Sequence, residues 1–314
     1  MRLETIPHLQ LPRVFRALSR QAHSNTRPAL GFCRMASTFQ LPDHDIPVTL
    51  PQGLSKEQLL GFHPFKNWVA TLTSSLALQS TAANHPFGQD PYRLRSVTVQ
   101  AFDLFGASRV GFLKLAADVS NGAGESLPGA VFLRGPSVAM MVVLMPDDGA
   151  DERHVLLTVQ PRVAAGSLAF AELPAGMVDD EGQFAGTAAR EIKEELGLDI
   201  PASELTCLSD LAAEEAATAA AAGGQRDAGE KLARAVYPSA GGCDEYIPIF
   251  MHERRVPRKQ LAEWTGKLTG LRDEGEKITL KLVPMDDLWY EGACDAKCLA
   301  AIALWQGLRR KGRL

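Results

Sequence analysis

Five charged side chains stand within six residues of the stretch "REIKEEL", and three of them are acidic: Arg190, Glu191, Lys193, Glu194 and Glu195. Residues three and four apart are neighbours on a helix, so the three carboxylates share one side. Like charges at that spacing repel each other, and a solvated acidic face is the simplest interpretation. Clustered carboxylates are also the oxygen ligands that suit Mg²⁺ or Mn²⁺ better than zinc.

The residues before this helix favour the cation interpretation. "ELPAG", residues 172–176, reads as a strand that ends in a glycine turn, which aims backbone carbonyl oxygens toward the same place. The apolar residues Ala188, Ala189, Ile192 and Leu196 form one arc at helical spacing. The pattern predicts a short helix over residues 187–196 that stops at Gly197.

The stretch from Gly176 to Leu198 resembles the Nudix box, a 23-residue loop–helix–loop of the form G-x5-E-x7-R-E-U-x-E-E-x-G-U, with U a bulky aliphatic residue. Eight of the nine fixed positions match, and the ninth, the first glutamate, falls on Gly182. In the family that glutamate braces the loop through the box arginine. The resemblance therefore leaves Arg190 to reach Glu181 or Asp180 instead.

This resemblance implies a Nudix hydrolase that uses Mg²⁺, with Mn²⁺ as an alternative. A cation bridging pyrophosphate oxygens neutralises the charge that repels an attacking water, and it can hold that water. The implied metal ligands are Glu191 and Glu195, with the carbonyl oxygen of Ala175 as a further candidate. Glu194 and Arg190 are implied in catalysis.

Other segments resemble the plant plastid ADP-sugar diphosphatases, over about residues 60–310. They are "RGPSVAMMVVL", "VYPSAGGCDE", "GLRDEGEKITL" and "DAKCLAAIALW". In such enzymes a later acidic loop supplies the general base, and Glu274 matches that place, with Glu276 as an additional metal ligand. Without the box, both glutamates would be read as part of a solvated hairpin turn.

Three residues are candidates for binding the substrate. Arg162 and Arg134 carry guanidinium forks that suit phosphate oxygens, although a surface ion pair explains either one equally well. Glu172 precedes the box loop, where its carboxylate is placed to accept a substrate hydroxyl. The implied reaction is Mg²⁺-dependent hydrolysis of an ADP-sugar, such as ADP-glucose or ADP-ribose, to AMP and a sugar phosphate.

Two alternatives to this function stay open. One is a Nudix diphosphatase for another nucleotide, such as a dinucleotide coenzyme or a nucleoside triphosphate. The other is a catalytically weak Nudix-fold binding protein, which Gly182 favours and the intact acids Glu191, Glu194 and Glu195 oppose.

The elements that position these residues predict an α+β fold. The continuous apolar run "VAMMVVLM" indicates a strand buried on both faces. The resemblance implies a Nudix α/β/α sandwich with a mixed sheet over residues 134–310, interrupted by a low-complexity surface insertion at 211–235. Residues 56–133 are predicted to form an N-terminal helix and a small antiparallel sheet, which in related enzymes builds a homodimer. The Pro-rich residues 37–55 are interpreted as a linker.

Composition limits the partners and the location. A net charge of −4 argues against a nucleic-acid partner, and no apolar run is long enough to cross a bilayer. The five cysteines form no CxxC pair and indicate reduced thiols. Residues 1–36 hold six Arg and one acid, a composition typical of an organellar transit peptide. The alternative is a disordered tail without a targeting function. We expect a chloroplast location, with the mitochondrion as the alternative.

Overall fold

The apolar run at residues 137–146 is the central strand of the molecule. The computed structural model describes residues 37–42, 44–82, 85–149, 151–178, 183–223, 229–270 and 277–314. In it, β7 (Ser137–Pro146) is buried along its whole length. Its even-numbered residues from Val138 to Leu144 face one apolar cluster and its odd-numbered residues face another. This two-sided burial confirms the prediction made from the apolar run.

The sheet around β7 is mixed. The parallel partner of β7 is β12, and its antiparallel neighbours are β8 and β10. The strand order is β11-β12-β7-β8-β14-β13, with β9 paired to β8. The strands are β8 (His154–Arg162), β9 (Ser167–Glu172), β10 (Ala175–Met177), β11 (Thr206–Cys207), β12 (Ile249–Val256), β13 (Leu268–Thr269) and β14 (Ile278–Pro284).

Helices cover both faces of this sheet, which confirms the α/β/α sandwich. One face packs against α3 (Phe184–Glu191), the π-helical turn that follows it (Ile192–Leu196) and α5 (Arg258–Trp264). The other face packs against α4 (Leu208–Gly223), α6 (Leu288–Glu291) and α7 (Ala296–Arg310). The layering places the acidic stretch on one side of β7 and the last helix on the other.

A second sheet precedes the sandwich and has its own apolar core. Its strands are β1 (Ser37–Gln40), β2 (Pro47–Leu50), β3 (Arg93–Phe105), β4 (Arg109–Ser120), β5 (Ser126–Leu127) and β6 (Ala130–Leu133). Two helices, α1 (Lys56–Gly61) and α2 (His63–Thr81), pack against it. The helical prediction for this region is confirmed, but Pro64 starts a separate second helix.

The predicted small antiparallel sheet is confirmed, since β4 pairs in antiparallel with β3, β5 and β6. The strand β2, which precedes the predicted range, adds a parallel partner to β3. One prediction for this N-terminal part differs from the structure. Residues 37–55 are not a plain linker, since β1 and β2 pair there. Val48 and Leu50 are 0% and 1% exposed, so this Pro-flanked segment contributes to the core although each strand spans only four residues.

The low-complexity segment 211–235, predicted as a surface insertion, begins inside a helix. Most of its Ala-rich part belongs to α4, which packs against α7 and β12. Arg313 forms ion pairs with Glu214 and Glu215 on this helix. A helix without a regular apolar arc is hard to assign from periodicity, and tertiary packing decided this one. In the described part of the chain, no helix is both long and apolar enough to span a membrane.

Candidate active site

The acidic stretch lies on α3 and on the π-helical turn that continues it. The predicted helix over 187–196 is therefore confirmed in place, but it starts earlier, at Phe184, and changes geometry after Glu191. Gly197 ends the turn with a left-handed φ of 69°, as its position after the last apolar residue predicted. Ala188, Ile192 and Leu196 are fully buried against the sheet, which fixes the opposite side of the turn toward the box loop.

Glu191 lies directly against Gly176. A Cβ atom added at Gly176 would stand 2.0 Å from Cδ of Glu191 and 2.1 Å from its Oε1. Only glycine leaves room for the carboxylate at this distance, so the first box residue is a packing requirement of Glu191. Nη2 of Arg190 lies 4.0 Å from the same Oε1.

Glu195 is 4% exposed and accepts a hydrogen bond from the backbone N–H of Ala175, at 3.2 Å. Burial raises the pKa of this carboxyl to about 8, and the negative charges of Glu191 and Glu172 add to the effect. The Ala175 N–H and Arg162 act in the opposite direction without cancelling it. Among the described residues, the ionised form of Glu195 therefore lacks a sufficient counter-charge.

This acid pair fits a divalent cation. A buried carboxylate whose pKa lies near 8, and whose largest charge interaction is repulsion by a second carboxylate, is stabilised as an anion by a cation held by both. Within the described ranges, no group of three His, Cys, Asp or Glu side chains is arranged to hold a metal ion. The predicted additional ligand Glu276 and the predicted base Glu274 both lie outside those ranges.

Glu172 is the centre of a buried ion-pair network. Its Oε1 accepts a hydrogen bond from Nε of Arg162 at 2.6 Å, and its Oε2 accepts one from Nζ of Lys297 at 2.9 Å. Lys297 also donates to Oδ1 of Asp295 at 2.9 Å. Burial alone would lower the pKa of Lys297, but Asp295 and Glu172 together raise it above its ordinary value.

Arg134 is held in a second network, built by the segment after α4. Its Nη1 lies 3.3 Å from Oε1 of Glu245, which also accepts a hydrogen bond from the Ser137 hydroxyl at 2.7 Å. Asp244 accepts the backbone N–H groups of Arg134 and Gly135. The segment "GGCDE" thus fixes the chain where β6 passes into β7.

A cleft of about 500 Å³ brings these networks together with the box. Its charged lining alternates in sign, with the cations Arg134, Arg162 and Lys297 beside the anions Glu172, Glu245 and Asp295. Ala175 and Gly176, which contact the two box glutamates, form part of its wall. An anionic ligand in this cleft would meet guanidinium groups on one side and the acid pair behind Ala175 on the other.

Comparisons with known proteins agree with the box. A family model described as the NUDIX domain matches residues 135–301, which is more than half of the chain. Nudix hydrolase 14, chloroplastic, from Arabidopsis thaliana is 33% identical over 312 residues, covering 95% of this chain and 91% of the relative. The chain belongs to the Nudix hydrolase family. A solved structure described as an ADP compounds hydrolase aligns with a TM-score of 0.41 at 20% identity, over 71% of this chain and 99% of that one.

The predicted residues of this Nudix domain fall into three groups. Glu195 bonds to Ala175 and Glu191 lies against Gly176, and Ala175 and Gly176 line the cleft together with Arg134, Arg162 and Glu172. Glu194 is half-buried in the π-helical turn between the two other box acids. Glu274 and Glu276 lie outside the described residues, as do Gly182 and both proposed partners of Arg190.

Glu172 gains a further role, and several residues were missed. Glu172 is 3% exposed and each of its carboxylate oxygens binds a cation, which suits it to orienting Arg162, while its contact with a substrate hydroxyl stays a prediction. Sequence reasoning did not select Asp244, Glu245, Asp295 or Lys297. The first two stand in "GGCDE" and the last two in "DAKCLAAIALW", so the segments were noted but not the roles of these side chains.

Proposed function

We propose that this Nudix hydrolase cleaves the pyrophosphate bond of ADP-sugars, ADP-glucose or ADP-ribose, and releases AMP and a sugar phosphate. The observation that carries the proposal is the acid pair of Glu191 and Glu195, which lies against Gly176 and Ala175 in the wall of a cleft that also presents Arg134 and Arg162. The adenylate-sugar specificity rests on the segments after the box, "SAGGCDE" and "GLRDEGE", which resemble those of ADP-sugar diphosphatases.

The metal is proposed to be Mg²⁺, with Mn²⁺ as an alternative. Glu191 and Glu195 would hold it, together with the Ala175 carbonyl oxygen and Glu276. When bound, the cation supplies neutralisation of the pyrophosphate oxygens and activation of the attacking water. Glu194 supports this acidic turn, and Glu274 is proposed to take the proton from that water.

The arginines are proposed to hold the phosphates. The hydrogen bond from Arg162 to Glu172 uses Nε, while the guanidinium carries five N–H donors in all. With its side chain 42% exposed, Arg162 has donors left for a ligand. Arg134, whose side chain is 31% exposed, lines the same cleft and is held by Glu245. Each carboxylate partner keeps its arginine in one orientation before the substrate arrives, which lowers the entropy lost on binding.

The direct test measures AMP release. The chain with Mg²⁺ is given ADP-glucose and ADP-ribose at matched concentrations, beside a dinucleotide coenzyme and a nucleoside triphosphate. We expect kcat/KM to be highest for one of the two ADP-sugars and to fall by about 100-fold or more in the double variant Glu194→Gln/Glu195→Gln. A strong preference for a base other than adenine contradicts the proposal. No release from any nucleotide points to the binding protein instead.

Location and assembly are proposed with the function. The relative's name includes "chloroplastic", and residues 1–36 have the composition of a transit peptide, which together support import into plastids. A fluorescent protein fused behind residues 1–36 is expected to enter plastids, and mitochondrial fluorescence would favour the alternative. The proposed assembly is a homodimer, and neither nucleic acid nor membrane is a proposed partner.

A further inference from the structure

The connector between β9 and β10, residues Glu172 to Ala175, is fastened to a different part of the fold at each position. Lys297 and Arg162 hold the Glu172 side chain. The N–H of Leu173 donates to Asp295 at 2.9 Å, and the carbonyl of Pro174 accepts the N–H of Met140 on β7 at 3.0 Å. The N–H of Ala175 holds Glu195.

Two of these five bonds come from the start of α7. Asp295 is the N-cap of this helix, and its Oδ1 accepts the N–H of Lys297 at 3.1 Å, while its Oδ2 takes Leu173. An N-cap residue needs only the bond to the N–H of Lys297. The second bond joins the helix to the connector, and Asp295 is 3% exposed. The start of α7 is thereby tied to the backbone two residues before Ala175.

Lys297 completes this attachment from the same turn. Its ammonium lies between Oε2 of Glu172 and Oδ1 of Asp295, at 2.9 Å from each, and its side chain is 13% exposed. Two anions and two cations, with Arg162 as the second cation, balance inside the cleft wall. Glu172 raises the pKa of Glu195, so the network and the acid pair influence each other electrostatically.

We propose that Asp295 and Lys297 are positioning residues of the active site. They fix the connector, and through it they set the Ala175 N–H that holds Glu195 and the direction of the Arg162 guanidinium. Neither residue needs to touch the reacting atoms for this role. The part that concerns turnover rests on the proposed function, whereas the part that concerns the cation site does not.

The test removes this attachment without changing net charge, in the double variant Asp295→Asn/Lys297→Met. The matched control is Lys281→Met/Glu291→Gln, which removes another lysine–glutamate pair that takes part in none of the connector bonds described above. For the first variant we expect kcat to fall by about 100-fold, the cost of a small misplacement of reacting groups. The Mn²⁺ concentration for half-maximal thermal stabilisation, measured without substrate, is expected to rise about tenfold. The control is expected to stay within about twofold in both measurements.

Lys297→Arg provides the rescue, because arginine keeps the charge and the donors for both carboxylates. It should retain more than a tenth of kcat and a nearly unchanged Mn²⁺ dependence. If the double variant does not fold, Asp295→Asn alone is measured in the same way and must shift the Mn²⁺ dependence in the same direction.

Two results would overturn the proposal. One is a variant that unfolds at a lower temperature but keeps kcat and the Mn²⁺ dependence, since the two residues would then serve stability alone. The other is an equal effect in the control pair. If the unmodified chain hydrolyses no nucleotide, the proposed function fails, while the Mn²⁺ titration still decides whether the connector is positioned from α7.

Discussion

Glu195 is a carboxyl whose burial makes its ionised form energetically unfavourable. Its pKa of about 8, against an ordinary value of 4.5, means that the folded chain keeps a proton that the unfolded chain has released. Stability therefore falls as pH rises through this interval, because the unfolded state then binds fewer protons than the folded state. A buried acid retained under such conditions is typical of a functional site.

The first prediction follows from this fall in stability with rising pH. With EDTA present, Glu195→Gln should be more stable than the unmodified chain at pH 8.5, by at least about 2 kcal/mol. The difference should shrink toward pH 5, where both side chains are neutral. Urea unfolding across this pH range measures it. The exposed control Glu263→Gln is expected to follow the unmodified chain at each pH, and a flat difference for Glu195→Gln would contradict the interpretation.

Gly176 gives the second prediction. In Gly176→Ala the new methyl group must displace the end of the Glu191 side chain, which is flexible, so unfolding should change little. The displaced carboxylate can no longer serve the cation site, and kcat is expected to fall by about 100-fold. Gly307→Ala is the control, since its Cβ would meet none of the described atoms within 4 Å. If Gly176→Ala keeps its activity, catalysis does not require the Glu191 carboxylate at its present position.

The sequence alone predicts that the carboxylates of the acidic stretch share one side of a helix. The burial of Glu195 could not, because it depends on the connector packing over it. Glu172 shows the same limit: an isolated glutamate before a loop looks free to bind a hydroxyl, and only its cation partners reveal the other role. Both partners come from distant elements, so no local pattern contains them.

At the scale of elements, the segment "GGCDE" joins the two sheets. Phe132 on β6 donates its N–H to the carbonyl of Gly242, and Asp244 returns a hydrogen bond by donating its own N–H to Phe132. The Asp244 carboxylate then holds the turn into β7. Burial raises the pKa of this carboxyl, while the N–H groups of Arg134 and Gly135 act against the rise.

The third prediction concerns Asp244. Asp244→Ala leaves two backbone N–H groups without their acceptor, which is expected to lower the free energy of unfolding by about 1–3 kcal/mol. Because the turn carries Arg134 into the cleft, KM for the substrate should rise by more than kcat falls. Asp244→Asn keeps an acceptor oxygen, so its free energy of unfolding and its KM should lie between those of the unmodified chain and those of Asp244→Ala. A variant that loses stability with KM unchanged would limit Asp244 to a structural role.

Strands and helices with a clear period were predictable, and those without one were not. The apolar run of β7 and the box helix have strong patterns and were placed correctly. The Ala-rich part of α4 has no polar side to define an arc, and β1 and β2 are too short to show alternation. In these elements the tertiary contacts supply the stability, which a single sequence does not display.

For the whole molecule we expect a homodimer built through the N-terminal sheet. Large apolar side chains on its strands are exposed in the single chain, among them Leu104 at 38%, Leu127 at 39% and Phe132 at 38%. Apolar surface of this kind is typical of a contact between chains. Sedimentation equilibrium should give twice the 33.9 kDa mass of the chain.

The fourth prediction tests that surface. Leu104→Asp places a charge where the partner is expected and should shift the mass toward that of one chain. Leu299→Asp is the control, since Leu299 is 43% exposed but lies on α7. A monomeric unmodified chain, or equal effects of the two substitutions, would contradict an assembly through the N-terminal sheet.

The attachment of the connector also sets the order in which the site can be completed. Leu173 and Asp295 are 122 residues apart, so the bond between them cannot exist until α7 has left the ribosome. Contacts that close such long loops form late, after local helices have appeared. The box helix should therefore fold early as a helix and mature late as a cation site. In refolding followed by stopped flow, we expect the helical signal to return before Mn²⁺ binding does, and simultaneous recovery would contradict this order.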